Sequence, residues 1–136
     1  ISAVDLLPTF CDIAGVELPS AYQADGISQV SALKGQPTTG RTKPLFWKYS
    51  ARWPAQKSRP HHWASYCVVN ERWKLLANQD SSYVELYDIV SDPFESTDLK
   101  ESQPDAVTKL SKQLTDWKAS LPESPDSKLF SSLRDN

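Results

Sequence analysis

Methionine is absent from the 136 residues, and cysteine, glycine and long apolar runs are scarce. Each shortage removes a class of protein. The two cysteines, Cys11 and Cys67, are too few for a disulfide framework, and their separation is no zinc signature. Two buried free thiols is the favoured reading, with one disulfide between them left open. No stretch approaches the ~20 apolar residues that a membrane crossing requires. Residues 1–15 lack a basic start and carry Asp5 and Asp12, so they do not read as a signal peptide. A basic excess is missing too. Fifteen Lys and Arg face 17 Asp and Glu, a net charge of −2, spread without long blocks, which argues against nucleic-acid binding. With no methionine and an opening inside an amphipathic pattern, the sequence reads as the tail of a longer product.

What is present is enough for one domain with a real core, or one domain plus a piece of another. Residues 4–16 predict a helix. Leu6, Leu7, Phe10, Ile13 and Ala14 recur at a 3.6-residue period, Asp5 can cap the start, Pro8 falls in the first turn, and Gly15 supplies a left-handed stop. Asp25-Gly26 is a turn signal, Ser28 can cap a short helix through Leu33 closed by Gly35, and residues 36–44 read as a surface loop. The period then changes. Leu45–Tyr49, Tyr66–Val69, Trp73–Ala77 and Val84–Tyr87 are short, aromatic and β-branched, so they read as strands. Short breaks between the last three favour antiparallel hairpins. Residues 105–121 form the clearest helix, with Val107, Leu110, Leu114, Trp117 and Leu121 on one stripe, started by Ser102 and Pro104 and ended by Pro122. The expectation is an α+β fold: a four-stranded antiparallel sheet covered on one face by the C-terminal helix.

Several segments, in order and with matching gaps, resemble the C-terminal end of the sulfatase family, in its arylsulfatase and N-acetylgalactosamine-6-sulfatase-like members. They are VDLLPTFCDIAGV at 4–16, DGISQVSALKG at 25–35, PLFWKY at 44–49, CVVNERWKLL at 67–76 and LYDIVSDPFESTDL at 86–99. The resemblance covers about residues 1–121, with Asp98 where the family usually has Asn. It implies three parts. Residues 1–43 are the last helices of an alkaline-phosphatase-like catalytic domain, 44–121 the C-terminal subdomain, and 122–136 a trailing tail. Asp88, Asp92, Glu95 and Ser96 then read as groups that fix the exit from the sheet, and Lys74 as an edge or snorkelling lysine.

Sulfate ester hydrolysis requires a nucleophile, charge neutralisation at the sulfate oxygens and an acid for the leaving alcohol. In the resembled family the nucleophile is formylglycine, made from Cys or Ser in a C/S-x-P/A-x-R motif, and calcium sits on a cluster of Asp with Asn or Gln. Cys11 is followed by Asp-Ile-Ala-Gly and Cys67 by Val-Val-Asn-Glu, while Ser58-Arg-Pro-His-His and Ser91-Asp-Pro-Phe-Glu lack the Arg. No catalytic or metal residue is therefore assigned here. The resemblance implies a parent enzyme with calcium and an upstream catalytic domain as this chain's partner, in a periplasmic or secreted setting, and no cofactor in the chain itself.

One segment is left for substrate contact. The loop 50–64 gathers Arg52, Trp53, Lys57, Arg59, His61, His62 and Trp63. Cations of this kind grip sulfate or carboxylate, and aromatic faces stack on sugar rings; the plainer reading is a solvated loop whose tryptophans tuck against the sheet. A metal at His61-His62 lacks a third ligand nearby. Two functional readings follow: the C-terminal part of a sulfatase acting on a sulfated sugar or aryl sulfate, and a non-catalytic module that binds sulfated glycans. A broken reading frame is the third possibility, and it predicts an exposed apolar face on the helix Leu6–Ala14.

Overall fold

The computed structural model describes residues 1–38, 40–49 and 64–121. A 3-10 turn, Ala3–Asp5, leads into α1, Leu6–Ala14, followed by the short α2, Val30–Leu33. Four strands come next: β1 Leu45–Lys48, β2 Tyr66–Asn70, β3 Trp73–Ala77 and β4 Val84–Asp88. The helix α3, Pro104–Ser120, closes the series. The strands form one antiparallel sheet in the order β1-β2-β3-β4, so the α+β architecture expected from the four strand-like segments and the C-terminal helix is the one observed. The trailing residues 122–136 lie outside the described part.

Period-two alternation decides which side of the sheet becomes the core. Pairing sets Phe46 opposite Val68, Val68 opposite Leu75, and Leu75 opposite Leu86. These four form a row across one face. With Tyr66 and Ala77 they meet Leu110 and Leu114 of α3, and all of these except Phe46 are buried. Phe46 stacks on Trp117, ring centroids 5.0 Å apart. Covering one face removes from water the apolar surface that a lone sheet would expose, and each fully buried leucine contributes roughly 1.5–3 kcal/mol. Two polar contacts flank the core: Asn70 donates to Gln113, and the Lys118 ammonium lies 4.4 Å from the Tyr66 ring centroid.

Helix ends follow the expected chemistry with three corrections, the first being that Gln29 and not Ser28 is the N-cap of α2. Gly15 takes φ +65° and its N–H reaches the Asp12 carbonyl, ending α1. Pro104 is the first residue of α3, where its missing N–H costs nothing. Ser102, however, does not cap α3; its hydroxyl donates to the Leu99 carbonyl. Asp5 does not cap α1 either. Its carboxylate accepts from the Ser2 N–H one turn earlier, and from groups much further along the chain.

Candidate functional site

Three features outside the α3-covered core carry chemistry or open surface: the α1 unit, the turn after β4, and the uncovered face of the sheet.

In α1 the usual orientation of an amphipathic helix is reversed. A helix packed within its own domain turns its apolar stripe inward. Here the polar side faces the rest of the chain. Asp5 is fully buried and Thr9 nearly so. The Thr9 hydroxyl donates to the Asp5 carbonyl and accepts from the Gln29 N–H, while the Ser28 hydroxyl donates to Asp12. Asp5 accepts from the N–H groups of Ser2 and Ile27 at 2.8 and 3.0 Å, and from Nη1 of Arg41 at 2.8 Å. Burial pushes the Asp5 carboxyl up, but the two N–H donors and the Arg41 guanidinium outweigh it and hold it below the ordinary carboxylate value. Arg41 also donates through Nε to the Lys43 carbonyl, and the Lys43 ammonium donates to the Ala24 carbonyl. The chain entering β1 is thereby fastened to α1.

Gly26 shows why the turn at 25–26 needs glycine. A Cβ there would lie 2.0 Å from the Val4 carbonyl oxygen and 2.8 Å from the Asp5 Cα, both backbone atoms. Only a residue without a side chain lets the loop approach closely enough for the Ile27 N–H to reach Asp5.

With its polar side engaged, α1 presents its apolar side to solvent. Leu6, Leu7, Phe10 and Ile13 are all exposed, Phe10 to 60% and Ile13 to 62%. Contiguous apolar exposure rimmed by polar groups marks an interaction surface. Covering the exposed half of these four side chains is worth about 4 kcal/mol at roughly 2 kcal/mol per buried side chain.

The turn after β4 is held by its acids. Asp88 accepts from the N–H groups of Val90 and Ser91 and pairs with Arg72. The Arg72 guanidinium draws its carboxyl down to about 2. Asp92 accepts from the N–H groups of Ser96 and Thr97, and Asp98 from those of Leu86 and Lys100. Asp98 needs only one oxygen for both N–H groups, a task an asparagine oxygen can also perform; its second oxygen pairs with Lys100 at 3.1 Å. Glu95 departs from the expected role. It sits at φ +53° and reaches Lys74 at 2.6 Å. Lys74 is therefore an ion-paired residue of the inner strand β3, not an edge lysine. Between the pinned residues Phe94 stands 92% exposed.

The uncovered face of the sheet, opposite α3, carries Leu45, Trp47, Cys67, Val69, Lys74, Leu76, Glu85 and Tyr87 by register. Both cysteines are free and half-buried, not fully buried. Burial pushes the Cys67 thiol up to about 11, against the pull of Lys74, and pushes the Tyr87 phenol to about 12 with help from Glu85. Neither group is activated for nucleophilic work at neutral pH.

Arg52, Trp53, Lys57, Arg59, His61 and His62 all lie outside the described residues. The exposed face of α1 is the one the broken-frame reading names, but periodicity alone gives only an amphipathic stripe and does not say which side of a helix meets its own chain. Among the described residues, no three His, Cys, Asp or Glu side chains come together to hold a metal ion.

The model of the family described as N-sulphoglucosamine sulphohydrolase, C-terminal, matches residues 1–120. An N-acetylglucosamine-6-O-sulfatase of Bacteroides thetaiotaomicron is 32% identical over 97 residues, which is 71% of this chain and 17% of that protein. Arylsulfatase K of Xenopus laevis is 29% identical over 119 residues, 84% of this chain and 21% of that protein. The chain thus spans about a fifth of the length of these curated relatives. Among solved structures, a putative sulfatase from Bacteroides thetaiotaomicron superposes with a TM-score of 0.59 at 23% identity, over 91% of this chain and 27% of that one. That likeness shows a shared fold.

Proposed function

Because the chain belongs to the N-sulphoglucosamine sulphohydrolase C-terminal family, we propose that it serves as the C-terminal module of a sulfuric ester hydrolase acting on a sulfated sugar. The nucleophile and the metal belong, in this reading, to an upstream catalytic domain. The observation that carries it is the family match over residues 1–120, which takes in α1 with its outward-facing apolar stripe. Leu6, Leu7, Phe10 and Ile13 form a seat, and the relatives are about five times as long as the match. An upstream domain seated on that stripe buries what the isolated chain leaves in water. In this reading the boundary between the two parts is near residue 43, which the Arg41–Asp5 and Lys43–Ala24 contacts support by fastening the chain to the α1 unit just before β1.

The sulfated-sugar substrate is supported by the relative that is an N-acetylglucosamine-6-O-sulfatase. Arg52, Trp53, Lys57, Arg59, His61 and His62 are proposed as contacts to the sulfate and the ring. The calcium that the family resemblance implies finds no fitting set among the described residues, so no step is assigned to it here. A free-standing glycan-binding module is the weaker reading, since the family match extends over α1 and the 25–35 loop as well as the sheet. A periplasmic or secreted setting for the parent is part of the same proposal.

The test uses the full gene product that carries this chain. It is expected to release sulfate from N-acetylglucosamine 6-sulfate or from p-nitrophenyl sulfate, and Phe10→Asp is expected to lower soluble yield and activity together. A full product with no sulfatase activity on a panel of sulfated sugars and aryl sulfates, and with normal folding in Phe10→Asp, would sink the reading.

A further inference from the structure

We propose that the outer edge of β1 is an attachment strand: an extended segment of the upstream part of the enzyme pairs with it and adds a fifth strand to the sheet. This rests on the module reading above and names how the partner is gripped.

The argument starts from hydrogen-bond parity. In an antiparallel ladder, paired residues alternate between those that bond across the pair and those whose N–H and C=O point away. The Tyr49 N–H donates to the Ser65 carbonyl at 2.8 Å. With Trp47 opposite Cys67 and Leu45 opposite Val69, the odd-numbered residues of β1 bond to β2. Phe46 and Lys48 therefore turn their N–H and C=O groups outward, and these four groups meet no partner among the described residues.

The opposite edge of the same sheet is treated differently. By the same parity Leu86 of β4 points outward, and both its groups are taken. Asp98 accepts from its N–H at 3.1 Å, and the Leu99 N–H donates to its carbonyl at 2.8 Å. The Asp88 carbonyl, also outward, accepts from the Asp92 N–H. The middle and end of the β4 edge are thus covered by the chain's own turn, whereas the β1 edge is left as a template of the kind that sheets otherwise cover or blunt. A row of alternating donors and acceptors matches another extended backbone.

The occupant follows from what lies next to that edge. Four residues before β1 begins, Arg41 is clamped to Asp5 on the polar side of α1. A body seated on the apolar side of α1 is thus tethered close to the strand with the open edge, and about four-fifths of the relatives' length lies outside the match.

The experiment is residue-resolved amide exchange on the isolated chain and on the full gene product, with Lys48→Pro in both. Lys48 is exposed and its N–H faces away from β2, so proline there spares the β1–β2 ladder. The Phe46 and Lys48 amides are expected to exchange freely in the isolated chain and about fivefold more slowly in the full product, the factor an ordinary hydrogen bond provides. Lys48→Pro should leave the melting temperature of the isolated chain unchanged and should speed Phe46 exchange in the full product. Equal rates in the two forms overturn the proposal. So does protection already present in the isolated chain, whether constant or rising with concentration, because the edge is then filled by the chain itself or by a second copy. Sulfatase activity with an unprotected edge refutes the strand alone; loss of both activity and α1 burial refutes the module reading beneath it.

Discussion

Replacing Asp5 with alanine removes the group on which the α1 unit converges. The carboxylate is fully buried, and it accepts from the Ser2 N–H, the Ile27 N–H and the Arg41 guanidinium. Alanine leaves the Ile27 N–H without an acceptor and Arg41, 17% exposed, without its counter-charge. Nη2 of Arg41 is already buried with no partner, so most of the guanidinium would then be unsatisfied. Breaking a buried pair from one side costs roughly 3–5 kcal/mol, and the lower end applies here because Arg41 retains a path to water. About 3 kcal/mol is two decades of equilibrium constant. The sheet and α3 do not depend on this hub, so the loss should be local: amide exchange at Ile27 and Gln29 should quicken about a hundredfold, with β2, β3 and α3 unchanged. The folded Asp5 carboxyl titrates below its unfolded value. Its contribution is therefore full above the unfolded value near 3.9 and is lost as the pH falls through the lower folded value. The gap between the native chain and Asp5→Ala should narrow below about pH 4. Less than a threefold change at Ile27 at neutral pH, or a gap that widens in acid, would refute the reasoning.

Three further outcomes are expected. Gly26→Ala should unfold the α1 unit or force it apart, because the added methyl meets the Val4 carbonyl oxygen at 2.0 Å; Gly15→Ala, at φ +65° with nothing near the added methyl, should cost only about 1 kcal/mol, and thermal melts of the two compare them directly. Leu110→Ala, at a site 1% exposed in the core, should destabilise the sheet and α3 by about 2–5 kcal/mol in a urea titration. Cys67, with its thiol pushed up to about 11 by burial, should alkylate slowly at pH 8, where only about one thiol in a thousand is ionised, and its rate should climb steadily to pH 10; a plateau near pH 8 would contradict the burial argument.

Residues 66–77 show what local pattern can determine. Aromatic and β-branched content specified the strands and the short break at Asn70-Glu71 their antiparallel hairpin, and a one-residue slip would turn Val68 and Leu75 away from α3. The stripe Val107, Leu110, Leu114 and Trp117 specified α3 and the side it buries. Gly15, Gly35 and Pro104 ended or began helices through their own backbone constraints. These are short-range matters, settled by residues within a turn or a hairpin of one another, and motifs in a fixed order were enough to reveal the family. Tertiary structure alone decided the rest. Asp5 looks like an ordinary cap until Ile27 and Arg41 arrive from 22 and 36 residues away. Lys74 looks like a surface lysine until the left-handed Glu95 places a carboxylate on it. The stripe of α1 reads as core in any periodicity plot, yet the chain binds the other side of that helix. Periodicity records that a face is apolar; only the packed chain determines whether its own residues or another body will cover it.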